Sequence, residues 1–237
     1  MSMTKQNPAD RLAAIKARVR RACEGCQRDP ADVRLLAVGK SQAAPALAAL
    51  ADCGQLSFGE NYVDEALGKI EALSGRSLEW HFIGPLQSNK TRPVATHFDW
   101  VQSIDRPRIV RRLAAQRPAE RPALNVLIQV NLDREPQKAG CDPDQVAELA
   151  AEIGQHPQLK LRGLMAIPAP RTDREQQMQA FARLFQLFQA LATEQPDIDT
   201  LSAGMSDDLE AAIASGSTMI RVGTALFGPR PKASQAD

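Results

Sequence analysis

The sequence predicts an α/β fold, a single (β/α)8 TIM barrel with an extra N-terminal helix. Three observations carry that expectation. Short apolar runs alternate with amphipathic segments along the 237 residues, as in a parallel sheet covered by helices. The runs number eight, the strand count at which such a sheet closes on itself. No long Pro, Gly or Ser linker and no internal repeat interrupts the alternation. One domain is therefore expected, with its core over about residues 10–230 and a polar tail over 231–237. An open doubly wound sheet is the competing arrangement, since the chain is slightly short of the ~250 residues typical of a barrel.

Residues 9–24 place Leu12, Ile15 and Val19 at helical spacing among arginines, which predicts the extra helix. Strands are expected at 34–39, 55–58, 79–83, 98–102, 124–130, 160–166, 199–202 and 218–222, where the runs are short and apolar enough for buried parallel strands. Helices are expected between them at 45–53, 61–73, 86–94, 106–116, 143–154, 173–194 and 206–214. The clearest is 173–194, where Met178, Phe181, Leu184, Phe185, Phe188 and Leu191 form one stripe. That stripe reads as a face packed on the sheet.

Composition excludes several function classes. Lys plus Arg is 29 against Asp plus Glu at 28, and aromatics are 4%. Neither a basic excess nor a base-stacking surface points to nucleic acid. No apolar stretch approaches the ~20 residues that cross a bilayer, and MSMTKQNPAD is not a secretory leader. A cytoplasmic location without membrane contact follows as the expectation. Cys23 and Cys26 form a C-x-x-C pair, but Cys53 and Cys141 supply no second pair and His81, His97 and His156 show no ligand spacing. No metal is expected, and the pair reads as ordinary helix cysteines.

In a barrel the chemistry sits where strands end. The first strand closes on Val38-Gly39-Lys40. An amine confined there is either a lysine snorkelling to solvent or a desolvated nucleophile able to form a Schiff base. The seventh strand runs into Leu201-Ser202-Ala203-Gly204-Met205-Ser206-Asp207-Asp208, where Ser206 fits a helix N-cap. The eighth ends in Arg221-Val222-Gly223-Thr224. Barrels often bind phosphate with the loops after strands 7 and 8. Together with Lys40, these ends suggest a phosphate ligand that carries an aldehyde, and pyridoxal 5′-phosphate is the obvious candidate.

The blocks LLAVGK (35–40), FGENYVDEA (58–66), WHFIGPLQSNK (80–90), GLMAIP (163–168) and LSAGMSDDLEAAIASGSTMIRVGTALFG (201–228) occur in order along nearly the whole chain. In these blocks the chain resembles the pyridoxal phosphate homeostasis protein family, itself similar to the N-terminal barrel of alanine racemase. The resemblance implies a fold-type III barrel that carries pyridoxal phosphate as a Schiff base on Lys40, the N6-(pyridoxal phosphate)lysine. It implies that Ser206, Gly223 and Thr224 hold the phosphate, that Arg221 faces the pyridine nitrogen, and that Asn61 lies near the ring. Ser202 and Met205 in the same loop, and His81 on the third strand, are further candidates; His81 is equally well a packed core histidine. Lys138, in the loop after the fifth strand, matches a family position and is either a solvated loop lysine or a transient amine acceptor. The chain departs from the family at Ser41-Gln42, where a second lysine is often found, and at Pro85, where a histidine is usual.

A guanidinium at Arg221 would keep the pyridine nitrogen unprotonated and the ring a poor electron sink. The only tyrosine, Tyr62, matches no catalytic family position. The residues after the barrel are too few for the β domain that supplies alanine racemase with its second base. The expected function is therefore to bind pyridoxal phosphate and take part in vitamin B6 homeostasis, buffering the cofactor and supplying it to apoenzymes without robust catalysis. A weak amino-acid racemase is the alternative, and a regulatory protein that docks according to its ligand state is a third reading. A monomer is expected by default.

Overall fold

The computed structural model describes residues 7–171 and 173–228; the polar tail expected over 231–237 lies outside the described residues. α1 (Pro8–Gly25) starts where the Asn7 side chain accepts the Asp10 N–H at 2.8 Å and Pro8 fills the first turn. Its buried stripe is Leu12, Ile15, Val19 and Cys23. Arg18 secures this extra helix by reaching Glu210 through two hydrogen bonds of 2.9 Å each.

Eight strand–helix units follow: β1 (Arg34–Val38), α2 (Ala44–Asp52), β2 (Ser57–Glu60), α3 (Val63–Ala72), β3 (Glu79–Phe82), α4 (Thr91–His97), β4 (Trp100–Ile104), α5 (Pro107–Gln116), β5 (Leu124–Val130), α6 (Val146–Gly154), β6 (Leu159–Ala166), α7 (Arg174–Glu194), β7 (Thr200–Ser202), α8 (Leu209–Ala214), β8 (Met219–Val222) and the short α9 (Thr224–Phe227). Each strand pairs in parallel with the next, and β8 returns to β1 with Leu36 opposite Arg221 and Ala37 opposite Val222. The sheet is a closed barrel, which removes the doubly wound alternative. A large apolar cluster fills the layer between strands and helices. Two small ones, Leu36–Ile83–Met219 and Trp100–Leu127–Met165, come from the alternate strand positions and fill the interior.

The structure corrects five local expectations, the first being the helix expected at 86–94, which as α4 begins only at Thr91 and runs on to His97. β2 begins two residues later than predicted, because the Gln55 side chain turns in to the Leu35 and Ser57 carbonyls and Leu56 is left exposed. β4 is displaced likewise, since Phe98 ends α4 and the Asp99 carboxylate accepts the Trp80 N–H. Ser206 is not a helix cap: α8 starts at Leu209 behind Asp208. Met178 stands 38% exposed, so the α7 stripe is narrower than its apolar pattern.

Candidate functional site

Because all strands run one way, their C-terminal ends make a single rim. β1 is prolonged by a Gly39 N–H bond to the Gly59 carbonyl, and the chain then turns through Lys40 and Ser41. Lys40 is half-buried in that turn. Glu60, the last residue of β2, is fully buried against it, so a Cβ at position 39 would fall 2.5 Å from Glu60 Oε1. The next residue, Asn61, has its Oδ1 buried with no hydrogen-bond partner among the described residues. Gly84, after β3, backs onto it so closely that a Cβ would lie 2.2 Å from the Asn61 carbonyl oxygen. Pro85, where the family usually has histidine, is exposed beside Asn61, Tyr62 and Lys90 around a recess of about 350 Å³.

β8 neighbours β1 in the barrel, and its Arg221 is buried. The Arg221 guanidinium donates to the Ser202 carbonyl and hydroxyl at 2.7 Å each and to the Ala166 carbonyl at 2.9 Å. A guanidinium carries five N–H donors, so these contacts leave it capacity for a further acceptor. Burial pushes Arg221 down to about 10, against the pull of the Asp208 carboxylate, so it stays protonated at neutral pH. Asp208 Oδ1 accepts the Met205 N–H at 2.6 Å and shapes the loop, while the Met205 side chain is exposed. The Ser206 carbonyl accepts from Arg18 at 3.0 Å. Gly223 and Thr224 open α9, where the Leu226 and Phe227 N–H groups donate back to the Gly223 carbonyl at 2.9 and 3.1 Å.

His81 is wholly buried and lies in the interior as a hydrogen-bonded core histidine. Burial lowers its pKa and keeps it neutral; Nδ1 accepts from Gln102 Nε2 at 2.9 Å, and Nε2 donates to Glu79 Oε1 at 2.6 Å. Gln102 Oε1 in turn accepts from Ser202 Oγ at 2.7 Å. A directed chain of donors therefore runs from Arg221 through Ser202, Gln102 and His81 to Glu79. Burial of Glu79 works against its ionisation, yet the His81 bond and Arg34 hold its carboxyl down at about 2.

Lys138 is paired rather than solvated: its Nζ stands 2.6 Å from Glu135 Oε1. The cysteines behave as helix and core residues. Burial raises the Cys23 thiol, Cys26 Sγ lies 3.2 Å from the Ala22 carbonyl, and burial pushes Cys141 up to about 12. Among the described residues no His, Cys, Asp and Glu group has a metal-binding arrangement, and no helix is long and apolar enough to cross a membrane.

Sequence reasoning missed Glu60, Glu65 and Lys69. Lys69 Nζ donates to the Gly39 carbonyl at 2.7 Å, to Glu60 Oε1 at 2.8 Å and to Glu65 Oε1 at 2.5 Å. The available signal was a lysine between Ala66 and Leu73 on the buried face of α3. The rim as a whole fits a small aldehyde-bearing phosphate. It offers an amine, a cation with a donor to spare, a buried acceptor awaiting a partner, and hydroxyl and amide groups after β7 and β8.

Comparison with known proteins bears on this fit. Residues 11–231 match the model of the alanine racemase N-terminal domain. The pyridoxal phosphate homeostasis protein of Escherichia coli K12 is 52% identical over 225 residues, spanning 94% of this chain and 96% of its own. Its namesake in Pseudomonas aeruginosa is 53% identical over 222 residues, with 94% and 95% covered. The solved structure of PipY from Synechococcus elongatus with PLP bound superposes with a TM-score of 0.81 at 36% identity, covering 93% of this chain and all of that one (100%). Alanine racemase from Corynebacterium glutamicum, at 16% identity and a TM-score of 0.65, shares the fold; the match covers 96% of this chain and 63% of that one.

Proposed function

The chain belongs to the pyridoxal phosphate homeostasis protein family, built on the alanine racemase N-terminal domain, and from that premise we propose that it binds pyridoxal 5′-phosphate at the C-terminal rim and holds it in reserve for apoenzymes. The observation that supports this most is Lys40 in the turn after β1, one strand away from the buried, protonated Arg221. In this reading Lys40 is the residue that would hold the cofactor, and the aldehyde would supply the carbon for a Schiff base to its amine. When bound, the cofactor supplies an electrophilic carbon conjugated to a pyridine ring. The chain's own groups bind and orient it.

Arg221 directs its remaining N–H toward the pyridine nitrogen and keeps that nitrogen unprotonated. Ser206, Gly223 and Thr224 hold the phosphate with hydroxyl and backbone donors. Asn61 lies at the ring edge, Ser202 fixes Arg221, and Met205 covers the loop above. His81 acts at one remove, through Gln102 and Ser202. Lys138 is a transient amine acceptor during hand-over, and the working form is a cytoplasmic monomer. With the nitrogen unprotonated the ring is a weak electron sink, which favours storage over amino-acid chemistry.

The test is an absorption spectrum of the purified protein with pyridoxal 5′-phosphate, wild type beside Lys40→Ala, followed by an amino-acid racemisation assay. A Schiff-base band in wild type alone, with racemisation no faster than the free cofactor gives, supports the reading. Rapid racemisation that disappears in Lys40→Ala would make the protein a racemase instead.

A further inference from the structure

Lys69 is 4% exposed on the face of α3 that packs on the barrel. An ammonium has three donors, and here its three acceptors are the Gly39 carbonyl, Glu60 and Glu65. Glu65 Oε1 also accepts the Ser41 N–H at 2.6 Å. The two backbone groups held are therefore the carbonyl before Lys40 and the amide after it. Ser41 has φ 61, a left-handed conformation that is unfavourable for an L-residue. Its surroundings, not its own preference, keep the turn in place.

We propose that Lys69 is a positioning residue: with Glu60 and Glu65 it clamps the two peptide groups that flank Lys40, and so fixes the direction in which Lys40 presents its amine. The proposal rests on Lys40 being the cofactor anchor. Stability alone is a poor account of the cluster, because a buried ion pair is often no better than apolar side chains of the same volume. The geometry also favours a clamp. All three charged side chains converge on a single turn, and Glu60 is seated directly against Gly39.

The cluster has two carboxylates for one ammonium. Burial raises Glu60 to about 7, with the Lys69 bond and charge opposing the shift and the Glu65 charge adding to it. Lys69 and Glu65 act on Glu60 from α3, Lys40 follows Gly39 in the turn that Glu60 packs against, and the uncharged Leu47 of α2 packs beside Gly39. Protonation of Glu60 as pH falls through neutrality weakens one of the three bonds of Lys69.

The experiment mixes the full-length protein with pyridoxal 5′-phosphate, quenches with borohydride at successive times, and counts the pyridoxyl group on the peptide containing residue 40 by mass spectrometry. The variants are Glu60→Gln alone, Glu60→Gln/Lys69→Met, which leaves no unpaired buried charge in this pair, and Glu65→Ala, which removes the Ser41 acceptor at a half-buried position. The double variant is expected to label residue 40 about tenfold more slowly, the scale set by misplacing a reacting group. The Ser41 amide should exchange faster with deuterium in both variants. Wild type should show an inflection near pH 7 in its labelling rate that Glu60→Gln lacks. Wild-type labelling by a folded double variant overturns the clamp; if that variant does not fold, an unchanged rate in Glu65→Ala overturns it. Wild type that takes no label at residue 40 overturns the anchor itself, a result distinct from an unchanged rate.

Discussion

At the N-terminal rim of the barrel, Arg34 pairs with Glu79 and Arg162 with Asp199. Both guanidinium groups lie over Trp100, their carbons 5.5 and 5.0 Å from its ring centroid. At the C-terminal rim, Arg221 is hydrogen-bonded to neutral oxygens and Asn61 Oδ1 is buried without a partner among the described residues. Arg34 and Arg162 are closed on carboxylates at one end, whereas Arg221 at the other has bonding capacity left over. The rims are joined through the interior by the Arg221–Ser202–Gln102–His81–Glu79 chain. The difference teaches that one end holds the barrel shut while the other is organised for a ligand, the division expected of this architecture.

That contrast can be broken by mutation at either end. Trp100→Ala removes a side chain 2% exposed and should cost about 3–5 kcal/mol, read as a lowered denaturation midpoint. The fraction that remains folded should still take cofactor on residue 40, and loss of that labelling would erase the distinction between the rims. Arg221→Met deprives the Ser202 and Ala166 carbonyls of their donor and should cost about 2–4 kcal/mol. Here cofactor binding should weaken even in the folded fraction, as measured by equilibrium titration.

The rims should also answer pH with opposite signs. Glu79 is held near 2, below its ordinary 4.5, so its contribution to stability is present above 4.5 and is lost as pH falls toward 2. Glu60 is raised to about 7, so its contribution is present below 4.5 and is lost as pH rises through 7. Midpoints measured across pH should lose their acid limb in Glu79→Gln and their neutral decline in Glu60→Gln; parallel curves would contradict both assignments. The smallest effect is expected at Lys138→Ala, where a half-exposed ion pair is worth about 0–1 kcal/mol. Its sharper readout is transfer of cofactor to an apoenzyme. An unchanged transfer rate removes Lys138 from the hand-over.

The barrel was legible because apolar runs register directly in the sequence, and the candidates Lys40 and Arg221 stood out because they close or interrupt such runs. The buried polar framework was not. Glu60 and Ser103 fall outside the expected strands, yet both, like Gln102, are buried in β2 or β4. The partners of Glu60 and Gln102 are Lys69, His81 and Ser202, too distant in sequence for any local pattern to connect. The same blindness displaced β2 and β4. Lys69 was hidden for a related reason: in a helical stripe it reads as a solvated lysine, and only the fold brings the Gly39 carbonyl to it.

The most direct test of the account is to reduce the cofactor-loaded protein with borohydride and map the pyridoxyl group by peptide mass spectrometry. The account predicts the label on Lys40 and its absence from the remaining lysines. A label on Lys69, Lys90 or Lys138, with Lys40 unmodified, would contradict it.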